Sequence, residues 1–134
     1  MSEPEHFFDT NVLLYLLSAD EEKAAHAEQE LLAGGVISVQ VLNEFASVAT
    51  RRLAMTIDET REALAAIRAV CRVEPVTDDT HDKAMALTAR HRLSVYDATI
   101  VASALHAGCR TLVSEDLQHG QVFDGSLRVR NPFR

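Results

Sequence analysis

The sequence predicts an α/β fold, with a central and mainly parallel sheet of about four to five short strands flanked by helices. Short apolar runs that suit buried strands alternate with longer segments whose apolar residues recur at helical spacing. This alternation is typical of parallel sheets joined by crossover helices. The 134 residues are 47% hydrophobic, with neither an internal repeat nor a Pro/Gly-rich linker. A single domain over residues 1–134 is therefore expected, since this length suffices for one buried core.

The boundaries of the elements are marked by helix caps, glycine stops and short apolar runs. We predict five strands: one ending at 7–8, then 36–37, 71–76, 111–114 and a half-exposed strand over 127–130. We predict six helices: a short one from 12, then 20–32, Ser38 as a cap to about 53, 56–70, 78 or 79 to about 92, and Ser94 to a stop at Gly108. Thr56 and Glu59 match a capping box, and Phe133 is expected to pack onto the fold.

The formal net charge of -7 argues against a generic basic nucleic-acid binder. It does not exclude an enzyme that clusters acids around a metal ion, because the ion then supplies the local positive charge. No apolar run approaches the ~20 residues of a membrane span, and Glu3 and Glu5 stand where a signal peptide would carry positive charge. Cys71 and Cys109 show no metal or redox spacing. We therefore expect a cytoplasmic protein with reduced thiols and no membrane partner.

Asp9 lies at the junction between the first predicted strand and the first helix, ahead of Thr10 and Asn11. In open parallel sheets, this carboxyl end of a strand is where ligands bind. All three residues are also good N-caps, so helix capping is an equally strong alternative for Asp9. Glu115 and Asp116 repeat the placement after the fourth predicted strand, which favours a functional role.

Two further acids lie on predicted helices. Glu44 falls at the edge of an apolar arc between Val41 and Val48, and it is either a rim residue with a solvated head or is aimed across the core. Ser94 and Asp97 match a capping box, but Asp97 also falls near the middle of the apolar face of its helix. A lone buried carboxylate is costly, so Asp97 needs a metal ion or a shared proton as its partner.

Right-handed crossovers place the ends of parallel strands along one edge of a sheet. Four acids could therefore share one cleft: Asp9, Glu44, Asp97 and Asp116. Four ionised carboxylates repel one another unless cations lie among them, and Mg²⁺ is typically held by a few carboxylates plus substrate phosphate oxygens. The ion can activate water and stabilise the charge on a phosphodiester during in-line displacement. These residue types indicate metal-assisted hydrolysis of a phosphodiester.

Four stretches of the chain, in order, carry a specific resemblance. They are Phe8-Asp9-Thr10-Asn11-Val12, Asn43-Glu44-Phe45, Tyr96-Asp97-Ala98-Thr99-Ile100 and Ser114-Glu115-Asp116-Leu117. Together they resemble the PIN-domain ribonucleases over nearly the whole chain. The short length, the stretch over 115–121 and the ending Asn131-Pro132-Phe133 are similar to the VapC toxins of type II toxin–antitoxin modules.

The resemblance implies a Mg²⁺- or Mn²⁺-dependent endoribonuclease that cuts structured RNA such as tRNA or ribosomal RNA. It also implies inhibition by a cognate VapB-like antitoxin and assembly as a homodimer. By position, Asp9 and Asp97 match the principal metal ligands, and Asp116 matches the residue that completes the metal site. Glu44 matches the acid that orients water.

The resemblance leaves the roles of Asn11 and Ser114 open, and it leaves open which of the two acids after the fourth strand faces the metal ion. Asn11 and Ser114 match family positions that steady Asp9 or contact the substrate phosphate. Family members commonly have a neutral residue where this chain has Glu115, so either Glu115 or Asp116 could face the metal ion.

Three other functions are compatible with parts of the pattern. A non-toxin PIN nuclease that processes RNA would share all four acids. A catalytically silent PIN-like module that binds RNA or protein is less consistent with an intact quartet. A phosphatase of the haloacid-dehalogenase type also begins with Asp after a strand, but it needs a second Asp two residues later, where this chain has Asn11. RNA cleavage with and without EDTA discriminates among these functions.

Overall fold

The computed structural model describes residues 5–134, and these residues form six strands, six α-helices and one short 3-10 helix (Tyr15–Leu17). The strands are β1 (His6–Phe8), β2 (Gly35–Ser38), β3 (Cys71–Glu74), β4 (Thr111–Val113), β5 (Val122–Phe123) and β6 (Leu127–Arg130). The helices are α1 (Thr10–Leu14), α2 (Glu21–Leu32), α3 (Val39–Arg51), α4 (Ile57–Val70), α5 (Asp78–His91) and α6 (Val95–His106). Within 5–134, none of these helices has the length and apolarity needed to cross a bilayer.

The strands form one sheet in the order β3-β2-β1-β4-β6-β5, in which each neighbouring pair is parallel except β5 and β6. In the centre of the sheet, β1 and β4 pair so that Phe8 lies opposite Val113. Their carboxyl ends are therefore adjacent, and the backbone N–H of Asp9 donates to the carbonyl of Val113 at 3.0 Å. The α/β prediction is confirmed. The sheet has one strand more than expected, because the two residues of β5 are too few to give a periodic signal.

Most element boundaries follow the sequence prediction, and the differences have local causes. β3 ends before Pro75, which has no N–H to offer a neighbouring strand. α3 ends at Arg51 rather than near 53, and Ala54 just beyond adopts a left-handed backbone with φ of 54°. α1 begins two residues earlier than predicted, at Thr10, because Asp9 is its N-cap.

The capping box predicted at the start of α4 is confirmed. The N–H of Glu59 donates to Thr56 Oγ1 at 3.0 Å, and the N–H of Thr56 donates to Glu59 Oε1 at 2.8 Å. These reciprocal bonds satisfy two N–H groups that the helix itself cannot pair. They show that the local sequence signal determines where α4 begins.

Large aromatic side chains hold the central strands in place. Phe7 and Phe8 of β1, Phe45 of α3 and Phe123 of β5 are fully buried. Burying a side chain of this size contributes about 1.5–3 kcal/mol. The residues that follow β1 and β4 are thus anchored directly to the core, which is what a precise constellation of side chains requires.

Candidate active site

Asp9 caps α1 and also forms the floor of a cleft at the carboxyl edge of the sheet. Its Oδ1 accepts from the N–H of Thr10 at 2.7 Å, and its Oδ2 accepts from Ser114 Oγ at 2.8 Å. Only 5% of the residue is exposed. The predicted helix cap is therefore confirmed, and because the same carboxylate also lines the cleft, capping does not exclude the predicted functional role.

The surroundings of Asp9 disfavour its charge. Burial raises the pKa of this carboxyl from 3.8 to about 6, although the hydrogen bonds from Ser114 and Thr10 act in the opposite direction. The negative charges of Asp116 and Asp97 raise the pKa further. A carboxylate that is buried beside other acids gains from a cation in the same space.

Ser114 joins the ends of β4 and β1. Its hydroxyl donates to Asp9 and accepts from the backbone N–H of Asp116 at 3.1 Å, and the residue is fully buried. Of the two roles that the sequence allowed, this geometry favours steadying Asp9 over direct contact with a phosphate. The same bond sets the direction of the chain toward Asp116, an exposed residue whose side chain lines the cleft.

Glu44 reaches the cleft from α3, and two neighbours hold its carboxylate. Oε1 accepts from Thr10 Oγ1 at 2.6 Å, and Oε2 accepts from Gln40 Nε2 at 3.4 Å. Gln40 Nε2 also donates to the carbonyl of Tyr96 at 3.1 Å, which ties α3 to the first turn of α6. The sequence interpretation missed Thr10 and Gln40 as partners. The spacing of four residues between Gln40 and Glu44 on one helix was the available signal for that pair, whereas the bond from Thr10 depends on tertiary packing.

Asp97 lies in the first turn of α6 and is half-buried. Ile100, Val101 and Ala104, which define the face of α6 on which Asp97 was predicted, are buried as expected. Asp97 itself is only partly enclosed, because it lies close to the N-terminal end of the helix. The N–H of Asp97 donates to Ser94 Oγ at 3.1 Å. The reverse bond of a capping box is not formed among residues 5–134, so the prediction of a complete capping box is wrong. The carboxylate is therefore left to face the cleft.

Burial is the main reason that the pKa of Asp97 lies above its usual value. The charge of Asp116 raises the pKa as well, Ser94 lowers it, and the charge of Glu44 raises it. Asp9 and Asp97 thus share the same negative neighbour. The structure brings the four acids predicted from sequence to one place.

The four acids line a single cleft of about 300 Å³ together with Thr10 and Asn11. No Lys or Arg lines this cleft in the part of the chain that the structure describes. Within residues 5–134, no three acidic, His or Cys side chains are close enough to form a preassembled metal site. The donor set consists of hard carboxylate oxygens, and Mg²⁺ keeps several of its waters while binding one or two carboxylates. An open set of acids around a cleft of this size fits an ion that keeps part of its water shell.

Glu115 does not line this cleft. Its Oε1 accepts from the Tyr15 hydroxyl at 2.6 Å, and this bond raises the pKa of Tyr15 to about 12. The backbone N–H of Glu115 donates to Asn11 Oδ1 at 3.4 Å. Of the two acids after β4, Asp116 is thus the one that lies with the quartet, while Glu115 borders a neighbouring hollow.

The fold and site define an α/β domain that gathers four acids at the carboxyl edge of a parallel sheet. The family model of the PIN domain matches residues 6–122. The chain belongs to the PIN domain family. No curated protein is detectably similar to it.

Solved structures give relatives of the same fold. VapC20 of Mycobacterium tuberculosis, described as a Sarcin-Ricin loop cleaving toxin, is 28% identical over 80% of this chain and 86% of that chain, with a TM-score of 0.64. A toxin-antitoxin complex from Klebsiella pneumoniae matches at 21% identity over 95% of this chain and 97% of that chain, with a TM-score of 0.72. FitAcB from Neisseria gonorrhoeae matches at 18% identity over 96% of this chain and 98% of that chain, with a TM-score of 0.67.

Proposed function

We propose that this chain is a metal-dependent endoribonuclease and the toxin component of a type II toxin–antitoxin system. The observation that supports it most is the cleft in which Asp9, Glu44, Asp97 and Asp116 converge without a Lys or Arg lining it among residues 5–134. The similarity to VapC20, a toxin that cleaves the Sarcin-Ricin loop, supports RNA as the substrate.

In this proposal Asp9, Asp97 and Asp116 hold Mg²⁺, or Mn²⁺ in its place. When bound, the metal ion activates water and stabilises the negative charge of the phosphodiester transition state. Asp9 is kept in one orientation by the bonds from Thr10 and Ser114, so its lone pairs stay directed at the cleft. These bonds hold the Asp9 carboxylate in place before the ion binds, whereas the other acids have to move closer to complete the site, since no three of these side chains are preassembled within residues 5–134.

Two further groups complete the proposed chemistry, the carboxylate of Glu44 and the side-chain amide of Asn11. Glu44, oriented by the Thr10 hydroxyl, accepts a hydrogen bond from the attacking water and aligns it with the phosphorus. Asn11 Nδ2, which has no hydrogen-bond partner within residues 5–134, donates to a phosphate oxygen or to the bound nucleotide. Glu44→Gln is expected to impair cleavage severely.

The proposed RNA class, homodimer and antitoxin rest on the resemblance to the VapC toxins, and the absence of a Lys or Arg from the described lining of the cleft adds support for the antitoxin. The RNA substrate is a structured RNA such as tRNA or ribosomal RNA, and the active form is a homodimer. A VapB-like antitoxin blocks the cleft. It would do so by inserting an Arg or Lys side chain, whose positive charge would take the place of the metal ion among the carboxylates. The relative from Klebsiella pneumoniae, which was solved as a toxin-antitoxin complex, supports such a partner.

The nuclease proposal is tested by cleavage of tRNA and ribosomal RNA with Mg²⁺, with Mn²⁺ and with EDTA. Cleavage is expected with either ion and not with EDTA. Asp97→Asn should nearly abolish it, while Asp82→Asn, which removes an exposed acid of α5, should not. Cleavage by Asp97→Asn at the wild-type rate would show that the site is wrongly assigned, and metal-independent RNA binding without cleavage would favour a silent module.

The toxin proposal needs a separate experiment in growing cells. Expression of the chain alone should arrest growth, and co-expression with the antitoxin encoded beside it should restore growth. The Asp97→Asn variant should be harmless in both cases. Normal growth with the active wild-type enzyme present would instead favour a non-toxin RNA-processing nuclease.

A further inference from the structure

A second hollow of about 340 Å³ adjoins the carboxylate cleft, and we call it the side hollow. Its polar lining includes Asn11, Tyr15 and Glu115, and its apolar lining includes Leu14, Leu17 and Leu53. Asn11 and Leu14 also line the cleft, so the two depressions are continuous. A nucleotide chain whose phosphate lies in the cleft can therefore place a neighbouring base in the side hollow.

The carboxylate of Glu115 is held firmly on one side and free on the other. The Tyr15 hydroxyl donates to Oε1 at 2.6 Å, and the Tyr15 ring packs edge-on against Phe133 with centroids 4.5 Å apart. No protein group among residues 5–134 donates to Oε2. The residue is half-buried and borders the hollow, so its free oxygen is a positioned acceptor for a ligand.

Asn11 contributes the complementary group. Its Oδ1 accepts from the backbone N–H of Glu115, which fixes the amide plane. Its Nδ2 is buried and makes no hydrogen bond within residues 5–134. A buried donor without an acceptor is costly, and such a group is explained when a ligand supplies the acceptor.

We propose that the side hollow binds the base of a nucleotide next to the cleaved phosphodiester, and that Glu115 selects guanine. The inference rests on the proposed ribonuclease function and adds a specificity residue to it. Unstacked bases of RNA are recognised by their Watson–Crick edges and by packing on their faces. In the side hollow, leucine side chains offer the packing surface and the Glu115–Asn11 pair meets the edge of the base.

Guanine fits this pair better than the other bases because of its hydrogen-bonding pattern. Its ring N1–H and its 2-amino group are adjacent donors, and a carboxylate is an acceptor only. Its O6 lies beside N1 and can accept from Asn11 Nδ2. Adenine and cytosine place an acceptor nitrogen next to their amino group, which repels a carboxylate, and uracil offers a single N–H between two carbonyls.

The first experiment measures base binding without any cleavage. Guanosine and inosine, which differ only in the 2-amino group, are titrated in EDTA and followed by the amide resonances of 11–15 and 115. We expect guanosine to bind ~10-fold or more tightly than inosine, since a hydrogen bond to a charged group has this effect. Glu115→Gln should remove the difference, while Glu62→Gln, which removes an exposed acid of α4, should keep it. Equal binding of the two nucleosides, or binding of neither, overturns the inference.

The second experiment separates this inference from the nuclease proposal. Short RNAs with guanosine or inosine beside the cleaved bond are compared by kcat/KM in wild type and in Glu115→Gln. A guanosine preference that disappears in the variant supports the side hollow as the base site. Cleavage with the same ratio in both proteins overturns it and leaves the nuclease proposal intact. Guanosine binding that depends on Glu115 without any RNA cleavage supports the base site and overturns the nuclease proposal.

Discussion

The acids of the cleft differ from other acids of the molecule in their partners. Elsewhere, Asp124 is paired with Lys83 and lies 3.9 Å from Arg90, and Glu30 accepts from Arg130 at 2.7 Å. In the cleft, the carboxylates receive hydrogen bonds only from hydroxyl, amide and backbone groups among residues 5–134. The chain has 20 acidic and 13 basic side chains, and no basic one lines the described part of the cleft.

This difference has opposite consequences for ionisation. The bond from Lys83 lowers the pKa of Asp124, whereas burial raises the pKa of Asp9 to about 6. Neighbouring acids reinforce the shift at Asp9 instead of opposing it. A buried carboxylate kept without a cationic partner reduces stability. Such an arrangement is better explained by the binding of a cation than by structural ion pairing.

The largest expected effect comes from neutralising one acid of each kind, Asp9 in the cleft and Asp124 in an ion pair, and comparing the two variants. Asp9→Asn keeps a side chain that can cap α1, but it loses the charge in the cleft. Metal-dependent cleavage of RNA should fall by on the order of 100-fold or more, because even outer-shell partners of a metal site contribute 10–100-fold. Asp124→Asn should leave the rate unchanged. A comparable loss in both variants would mean that the distinction between the two regions has no catalytic meaning.

The positions of the cleft acids could be predicted from the sequence, but their hydrogen-bond partners could not. Placing Asp9 and Asp116 at strand ends needed only the short apolar runs before them and the handedness of the crossovers. Their partners could not be predicted in the same way, because Thr10 and Glu44 are 34 residues apart and meet only through packing. Likewise, the two acids after β4 could not be distinguished until the position of Tyr15 was known.

The pH dependence of stability should show the raised pKa of Asp9 directly. Below the unfolded value of 3.8 the group is protonated in both states, and above about 6 it is ionised in both. Between these values the unfolded chain loses its proton first, so the metal-free fold loses stability as pH rises. The shift corresponds to about 3 kcal/mol at most.

Denaturant unfolding in EDTA at about pH 4 and about pH 8 measures this effect. Asp9→Asn should be more stable than wild type at the higher pH, and the gap should close at the lower pH. Using the difference between the two proteins removes the contribution of Asp124, whose lowered pKa acts with the opposite sign. A gap that does not change with pH would contradict the raised pKa.

A smaller effect is expected from the hydroxyl that links the two strand ends. Ser114→Ala leaves Asp9 Oδ2 and the N–H of Asp116 without this partner, so stability should fall by about 1–3 kcal/mol. The pKa of Asp9 should rise further, and affinity for Mg²⁺ or Mn²⁺ should fall by about 10–100-fold. Ser103→Ala is the matched control, since that buried hydroxyl has no partner within residues 5–134. If Ser103→Ala lost as much stability and metal affinity as Ser114→Ala, the losses would come from removing any buried hydroxyl and not from the two Ser114 hydrogen bonds.

The smallest effect concerns Asp97, where two contributions to stability have opposite signs. As an acid in the first turn of α6 it interacts favourably with the helix dipole, by about 0.3–1 kcal/mol. Burial and the charges of Asp116 and Glu44 act against it, and the raised pKa of Asp97 shows that these unfavourable contributions are larger. Asp97→Asn should therefore melt a few degrees above wild type in EDTA, with Asp82→Asn as the control for the loss of one exposed charge.

Adding millimolar Mg²⁺ should reverse that order. Because the ion binds the folded state and not the unfolded chain, wild type gains stability by mass action, and the variant that lacks one ligand gains less. Thermal melting of both proteins with EDTA and with Mg²⁺ tests the two halves of the argument separately. If Asp97→Asn melts below wild type in EDTA, the helix dipole outweighs the repulsion and Asp97 is chiefly a structural acid. If both proteins gain equally from Mg²⁺, Asp97 is not a ligand, and only the remaining acids of the cleft hold the ion.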